Sequence, residues 1–419
     1  MFVLSKIYIE NKTKIILDTT LSDQKHRNYR SDNFISLIIG ENGVGKSFLL
    51  KSLVDIFIYL EKIDSYKRKP KYRYEKFYIE YYFNGNTYSV RRNSGSEIFY
   101  RKNGVSVNYK DIELPNRVLA VSFMINDKFL FSKNEANDSY RYMGVRSSTN
   151  STYTSSITRK ISDNLIKSVN SGFLDQIKEM LSLLKFDTYL EVVVSETNTQ
   201  NTYVVDFENR NKLTRIDTSA FTKSTQVSVC FKKDGEKFTF DSCSSGEKHI
   251  LFAFTGILSQ IQNNSLILID EPEISLHPEW QTQYISTLRK LFANYNNCHF
   301  IIASHSHYFV SDLRPESSSI VAFYKDERLS KSELIGYNTF AWSAENIIYN
   351  VFGLRTTRNY YFECDLNALM ELMENYCGNE AERIEIQKLA NKLKRYLFDA
   401  KDPLHQIIEH AEEIINESA

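Results

Sequence analysis

The feature that most constrains the fold is a glycine-rich segment, Gly40 to Ser47, with the sequence GENGVGKS. It follows a short β-branched apolar run, residues 34–39, and precedes a stretch with leucines and phenylalanines at helical spacing, residues 47–60. Strand, glycine-rich turn and helix in this order indicate a phosphate-binding loop. Glycines let backbone N–H groups turn towards phosphate oxygens, and the helix N-terminus adds positive potential. We therefore predict that this segment binds a nucleotide.

Each position of the loop has an expected partner on the nucleotide. Lys46 is predicted to reach the β- and γ-phosphates, and the Ser47 hydroxyl is predicted to ligate Mg²⁺. The other predicted contacts come from residues whose backbone lines the phosphates, namely Gly40, Asn42, Gly43 and Gly45. The cofactors predicted from this segment are ATP and Mg²⁺.

A second apolar strand, Leu266 to Ile269, ends in two adjacent acids, Asp270 and Glu271. On its own this pattern is weak, because many apolar strands end in a carboxylate. Together with the phosphate loop it predicts that Asp270 holds Mg²⁺, directly or through water. It also predicts that Glu271 orients and deprotonates the attacking water. We therefore expect an ATPase that converts ATP and water to ADP and phosphate.

A short segment of small residues, Ser244, Ser245 and Gly246, precedes that strand and begins a helix. Such residues at a helix start expose N–H groups and hydroxyls to an anion. The alternative is an ordinary serine N-cap, with Glu247 completing a capping box. The position of the segment ahead of the acidic strand favours a role in nucleotide binding.

In this order, the phosphate loop, SSGE, LILIDEPEISLHP and IIASHS resemble ABC-type ATPases of the SMC, RecF and OLD kind over about residues 1–320. The resemblance implies that the serine-glycine segment of one subunit closes over the γ-phosphate bound by another. Ser244 and Gly246 would then act in trans, in a head-to-tail homodimer or higher oligomer. Ser275 to Pro278 matches the D-loop that crosses this interface. His305 matches the histidine that senses the γ-phosphate, and joins Glu271 as a predicted catalytic residue.

One position departs from the family pattern. The family usually carries a Mg²⁺-binding glutamine after the strand that we expect at Val118 to Ser122. This chain instead reads Phe123-Met-Ile-Asn-Asp. Asn126 and Asp127 are the two candidates to replace the glutamine, and the sequence does not choose between them.

Within this group the chain most resembles compact bacterial ATPases of antiphage defence, the PtuA-like proteins of Septu and retron systems and the AriA-like ATPases. LHPEWQ after the acids, Asp127 to Phe129 ahead of Tyr140 to Arg146, and the tract Trp342 to Asn359 carry this resemblance. It implies an ATP-driven switch that controls a partner effector. No nuclease signature is visible in this chain, so a nuclease is the expected partner. Two alternatives stay open: a RecF-like DNA-binding repair ATPase, and a scaffold that hydrolyses ATP slowly.

The rest of the chain is expected to complete an α/β fold, an ABC-ATPase head with a mixed parallel sheet. Alternating stretches and Asn-Gly turns over residues 72–122 predict an antiparallel β subdomain. Residues 130–225 predict an insertion that contains a helical, amphipathic stretch, Ile161 to Leu184. We place the ATPase domain at residues 1–325 and a C-terminal helical, partner-docking region at residues 326–419.

Charge composition restricts any nucleic-acid contact to a local patch. Lys plus Arg equals Asp plus Glu at 52 each, so no global field attracts DNA or RNA. The candidate patch is Tyr66 to Tyr74, where cations alternate with aromatic residues. A solvated loop explains the same pattern and is the favoured interpretation.

Cysteine usage and hydropathy predict the compartment. The five cysteines are scattered and form no CxxC pair, which argues against a disulfide framework or a zinc site and favours a reducing cytoplasm. No apolar run approaches the roughly 18–20 residues that span a bilayer. We therefore expect a cytoplasmic protein without membrane attachment.

Overall fold

Two units make up the chain, Met1–Ile347 and Ile348–Ala419. They are seen in a computed structural model, which describes residues 1–12, 14–23, 33–63, 72–94, 97–124, 126–131, 139–146, 154–195, 200–207, 216, 225–326, 329–353, 358–397 and 402–417.

The first unit contains a seven-stranded sheet that is parallel except at one edge. Its strands, in spatial order, are Leu329–Leu334 (β17), Ser318–Asp326 (β16), Phe34–Gly40 (β3), His299–Ala303 (β15), Ser265–Asp270 (β14), Arg117–Ser122 (β8) and Tyr140–Gly144 (β9). Only the pair β16–β17 is antiparallel. The middle strands β15 and β14 are buried along their whole length, which explains their continuous apolar sequences.

A second, six-stranded sheet is antiparallel throughout. Its strands, in spatial order, are Lys14–Thr20 (β2), Phe2–Asn11 (β1), Lys76–Phe83 (β4), Asn86–Arg92 (β5), Ile98–Lys102 (β6) and Val105–Val107 (β7). The predicted turns are confirmed, since Asn84-Gly85 and Asn103-Gly104 take positive φ values between paired strands.

The limits of this sheet differ from the expected stretch of residues 72–122. The strands β1 and β2, which precede the phosphate loop, extend the sheet, because β1 pairs with both β2 and β4. Conversely, β8 leaves it and lies beside β14 in the parallel sheet. Both differences arise from pairing between segments far apart in the chain, which periodicity within a short window does not reveal.

The helix that follows the phosphate loop, Lys46–Lys62 (α1), packs against both sheets. Leu49 and Leu53 are fully buried on it, in one apolar cluster with Tyr81 of the antiparallel sheet and Ile38 of the parallel sheet. Gly45 precedes the helix with φ 107°, a backbone conformation that favours glycine. The core therefore holds the start of α1 against the end of β3.

The middle of the chain forms two helices and a third sheet. The helices are Thr154–Asn170 (α2) and Leu174–Leu183 (α3). The predicted stretch Ile161 to Leu184 is thus interrupted, because Gly172 takes φ 80° and the N–H of Phe173 donates to the carbonyl of Ser168, as at helix C-termini. The antiparallel sheet contains Gln200–Val204 (β11), Leu190–Ser195 (β10), Gln226–Lys233 (β12) and Glu236–Thr239 (β13).

Two further helices alternate with the central strands, Ser245–Leu258 (α4) before β14 and Pro278–Leu291 (α5) after it. From Ile250 to Leu258 every residue of α4 is buried. Strand and helix alternation of this kind places helices over the parallel sheet. The predicted α/β fold class, with a mixed parallel sheet, an antiparallel β part and a helical insertion, is confirmed.

The second unit is helical, as predicted for the C-terminal appendage, but it starts at Ile348 and not at residue 326, because β17 belongs to the parallel sheet of the first unit. After Ala344–Asn350 (α6), which crosses the boundary between the units, come Tyr360–Glu374 (α7), Glu380–Lys394 (α8) and Leu404–Glu417 (α9). Leu369, Ala390 and Ala411, one from each of the last three helices, are fully buried in a core of their own. None of the described helices combines the length and apolarity that a membrane span requires.

Candidate functional site

The carboxyl ends of neighbouring parallel strands bring the sequence motifs side by side. Ala303 at the end of β15 is the register partner of both Ile38 in β3 and Asp270 in β14. Asp270 is in turn the partner of Ser122, the last residue of β8. Three segments that lie far apart in the sequence therefore meet at one sheet edge. They are the phosphate loop, the acidic pair Asp270 and Glu271, and the loop that carries His305.

Lys46 is the cation at the mouth of the loop. Its side chain is buried, and Nζ donates to the carbonyl oxygens of Gly40 at 2.9 Å and Glu41 at 3.0 Å. It also donates to Nε2 of His305 at 2.7 Å. Burial lowers the pKa of Lys46, although the carboxylates of the site oppose this shift. The loop thus places Lys46 and His305 next to each other.

Ser47 and Asp270 form the second contact between the loop and the strand ends. The Ser47 hydroxyl donates to Oδ1 of Asp270 at 2.9 Å. Burial raises the pKa of Asp270 to about 6, and the neighbouring charge of Glu271 acts in the same direction. A nearby cation would therefore stabilise the ionised form of this carboxyl group.

These two side chains fit Mg²⁺. The ion prefers hard oxygen ligands, and it usually takes only one or two from protein, with the rest supplied by phosphates and water. A serine hydroxyl and a carboxylate within hydrogen-bond distance are such a pair. Among the described residues no group of three or more His, Cys, Asp or Glu side chains is placed to hold a metal. Any ion here would depend on the nucleotide for its remaining ligands.

Glu271 lies opposite His305. Its Oε1 is 3.7 Å from Nε2 of His305, and that ring lowers the pKa of the carboxyl group. The backbone of Glu271 has φ 49°, and its N–H donates to the carbonyl of Ala303 at 2.9 Å. A non-glycine residue in this left-handed conformation requires support from its surroundings, and such strain is concentrated at functional sites.

Glu273 is a third acid of the site that the sequence motifs did not predict. One oxygen of its carboxyl group accepts a hydrogen bond from the backbone N–H of His305. Burial raises the pKa of this group. The sequence feature that could have indicated Glu273 is its position two residues after Glu271, in the run DEPE. Glu273 fixes the backbone that carries His305.

The serine-glycine segment forms a complete capping box at the start of α4. The Ser244 hydroxyl accepts from the backbone N–H of Glu247, and the Glu247 carboxylate accepts from the N–H of Ser244 at 2.7 Å. Ser244 and Ser245 are exposed, whereas Gly246 is buried. Within the described part of the chain, no hydrogen bond joins either serine to the phosphate loop. The capping alternative is thus realised, and a role of this segment in trans stays a prediction.

The carboxylate of Asp127 is fully engaged elsewhere. It forms an ion pair with Arg146 at 2.7 Å, accepts a hydrogen bond from the hydroxyl of Tyr142, and accepts the N–H of Phe129 at 3.0 Å. The side chain has no exposed surface. Of the two candidates to replace the glutamine, Asn126 is the exposed one.

The hairpin of β16 and β17 flanks the phosphate loop. The sequence did not predict this contact. A Cβ atom on Gly40 would lie 2.2 Å from the carbonyl oxygen of Phe323, so only glycine permits this approach. Further along the same strand, Nζ of Lys325 lies 4.0 Å from the position of a Cβ on Gly43. Lys325 therefore adds a second lysine beside the loop.

Two tracts with a predicted role lie partly outside the residues that the structure describes. In the candidate nucleic-acid patch, Tyr66 to Tyr74, residues 66–71 lie outside the described residues. Within the described part, the guanidinium of Arg73 lies over the ring of Tyr74, 5.6 Å from its centroid. In the tract Trp342 to Asn359, residues 354–357 lie outside them as well.

The chain is similar to several known proteins at low sequence identity. The chain is similar to the Septu protein PtuA of Bacillus thuringiensis, with 21% identity over 84% of this chain and 85% of the relative. It is also similar to the Retron Vc95 probable ATPase of Vibrio cholerae, with 24% identity over 29% of this chain and 23% of the relative. A solved SMC head domain from Thermotoga maritima is 15% identical over 80% of this chain and 99% of that chain, with a TM-score of 0.42. Against two further curated relatives, the chain spans less than half of their length.

The sequence model of one protein family matches residues 35–311, from the strand before the phosphate loop to the residues after His305. This match covers more than half of the chain and all residues predicted to contact the nucleotide. It confirms the assignment to P-loop ATPases, and the chain belongs to the family described as "AAA domain, putative AbiEii toxin, Type IV TA system".

Proposed function

We propose that this chain is an ATP-binding and ATP-hydrolysing switch subunit of a bacterial antiphage defence complex, which dimerises around ATP to control a partner effector such as a nuclease. The observation that carries the proposal is the cluster of Lys46, His305 and Glu271 at the sheet edge, with Ser47 and Asp270 beside it. The family and the similarity to the Septu protein PtuA support the assignment to defence.

Within this proposal, each side chain has a task set by its position. Lys46 and the backbone N–H groups of the loop hold the β- and γ-phosphates. Mg²⁺, held by Ser47 and Asp270, would neutralise charge on the phosphate oxygens. Glu271 orients the attacking water and accepts its proton, because its carboxylate is ionised at neutral pH and borders His305. His305, which already bonds to Lys46, contacts the γ-phosphate end of the site.

Assembly is proposed from the serine-glycine segment. Ser244 and Ser245 are exposed at a helix N-terminus. The Ser244 N–H is bonded to Glu247, but the O–H of Ser244 and the O–H of Ser245 can donate to an anion from outside the chain. In the proposed head-to-tail dimer this anion is the γ-phosphate held by the second copy. ATP then joins two subunits, and hydrolysis releases them.

The test compares ATP turnover and oligomeric state for the wild type, Glu271→Gln and Lys46→Ala. We expect Glu271→Gln to bind ATP, to lose about 10²-fold or more in turnover, and to remain an oligomer in ATP and Mg²⁺, measured by light scattering after gel filtration. Lys46→Ala should bind ATP weakly, and in ATP and Mg²⁺ it should keep the oligomeric state that the protein has without nucleotide.

Two results would contradict the proposal. Turnover of Glu271→Gln at the wild-type rate would show that Glu271 is not the base. Hydrolysis by the purified chain that rises strongly with DNA, with no effector present, would instead favour a DNA-binding repair ATPase.

A further inference from the structure

His249 connects the helix of the serine-glycine segment to the loop that follows Glu271. It lies on α4, and its ring is almost completely buried. Its Nδ1 is 2.6 Å from the carbonyl oxygen of Ile274. Because a carbonyl oxygen only accepts, Nδ1 carries the proton and donates. This bond therefore joins α4 to the loop between Glu271 and Pro278.

The face of the ring packs against the loop after β8. The rings of Phe123 and His249 are stacked, with centroids 4.6 Å apart and an interplanar angle of 9°. Phe123 is the first residue after that strand, whose last residue is the register partner of Asp270. One imidazole thus contacts two loops whose strands both end at the candidate site.

A second contact joins α4 to the loop between Glu271 and Pro278 without involving His249. A Cβ atom on Gly246 would lie 2.6 Å from the carbonyl oxygen of Ser275 and 2.6 Å from the ring of Trp280. The start of α4 is therefore packed directly on the loop. Only glycine leaves room for this approach.

The backbone of the loop between Glu271 and Pro278 is strained at two positions, and the contacts with α4 help to hold it in this conformation. Glu271 and Ser275 both have positive φ values, 49° and 64°, although neither is glycine. Such conformations cost free energy and persist only where the surroundings determine them. Burial also lowers the pKa of His249 to about 4, so the ring is neutral at pH 7 and keeps its single N–H for Ile274.

We propose that His249 is a positioning residue that makes the serine-glycine segment and the Glu271 loop of one chain move as a unit. The inference rests on the proposed function, in which that segment closes on ATP bound to a second copy. Closure on the partner's nucleotide would then set the position of this chain's own Glu271. His249 contacts Ile274 and Phe123, and neither residue belongs to the phosphate loop. Nucleotide binding to a single chain therefore does not depend on His249.

The experiment separates the donor from the ring. His249→Phe keeps an aromatic ring against Phe123 but removes the N–H, whereas His249→Asn keeps an N–H near the position of Nδ1. We expect His249→Phe to lower kcat about 10-fold or more, with ATP affinity within about 2-fold of wild type in a Glu271→Gln background. His249→Asn should restore most of kcat. His410, which is exposed on α9, provides the matched His→Phe control.

The outcomes distinguish the two proposals. An unchanged kcat for His249→Phe overturns the inference and leaves the ATPase intact. Equal losses of ATP affinity and kcat, or no rescue by Asn, also overturn it, because they indicate a purely structural role. If His249→Phe does not fold, Phe123→Leu replaces it and should lower kcat with unchanged ATP affinity. A wild type that neither binds nor hydrolyses ATP rejects the proposed function itself.

Discussion

At the residue scale, the candidate site holds charges in positions that cost folding free energy. Lys46 is 5% exposed and Asp270 is 3% exposed. Burial shifts the pKa of each group towards its neutral form. Such placement is typical of sites whose charges are stabilised by a ligand rather than by the fold.

The substitution Asp270→Asn is expected to stabilise the nucleotide-free protein. The pKa of Asp270 is about 6 in the folded chain, above its ordinary value of 3.8, so stability falls as pH rises through this window and the full cost is present at pH 7. Removing the charge should raise the free energy of unfolding at pH 7 by about 1–3 kcal/mol. Chemical denaturation of both proteins without nucleotide measures this difference. A less stable Asp270→Asn protein would show that the carboxylate is not penalised.

His249 predicts the opposite pH dependence. Its pKa is about 4 when folded and 6.5 ordinarily, so the unfolded chain binds more protons between these values and stability falls as pH decreases from about 6.5 to 4. Between pH 7.5 and 5, wild type should lose about 2 kcal/mol more than His249→Asn. Denaturant unfolding at both pH values measures the difference. Equal losses in the two proteins would mean that the ring is protonated without cost.

At the element scale, the site arises from strand ends, and this part was predictable. Each of the motifs at Gly40, Asp270 and His305 follows an apolar run, and the carboxyl ends of parallel strands share an edge. Local sequence therefore indicated which residues would meet. It did not indicate the roles of Glu273 and Lys325, because these depend on what lies next to each side chain in the fold. The same holds for His249, which on the apolar face of a helix has the pattern of any buried histidine.

The β16–β17 hairpin leads to a prediction about nucleotide affinity. Since Lys325 lies beside Gly43, we expect Lys325→Ala to weaken ATP binding about 3- to 10-fold, as the loss of one cation near phosphates does. Lys331→Ala is the matched control. Lys331 is on the same hairpin but pairs with Tyr324, whose side chain points to the opposite face from Lys325. Titration calorimetry with ATP and with AMP measures the effect, which should be absent for AMP. Equal effects of the two substitutions would assign the change to the hairpin rather than to Lys325.

At the scale of the whole molecule, the predicted nucleotide contacts lie in only one of the two units. Every residue predicted to contact the nucleotide lies in Met1–Ile347, while the core of α7, α8 and α9 lies wholly in Ile348–Ala419. Each unit has its own buried apolar cluster. Because each apolar cluster lies within one unit, unfolding of the second unit need not disrupt the nucleotide site.

The substitution Leu369→Asp tests this division. Leu369 has no exposed surface, so a carboxylate there would be buried without a partner and should unfold the three-helix unit at a cost of several kcal/mol. We expect ATP affinity and intrinsic turnover to stay within about 2-fold of wild type, since the phosphate loop lies in the other unit. Met370→Asp, at a neighbouring exposed position, is the control and should leave both units folded. If the C-terminal region docks the partner, as predicted from the sequence, control of the effector should be lost in Leu369→Asp alone. A loss of ATP binding in Leu369→Asp would show instead that the nucleotide site depends on the second unit.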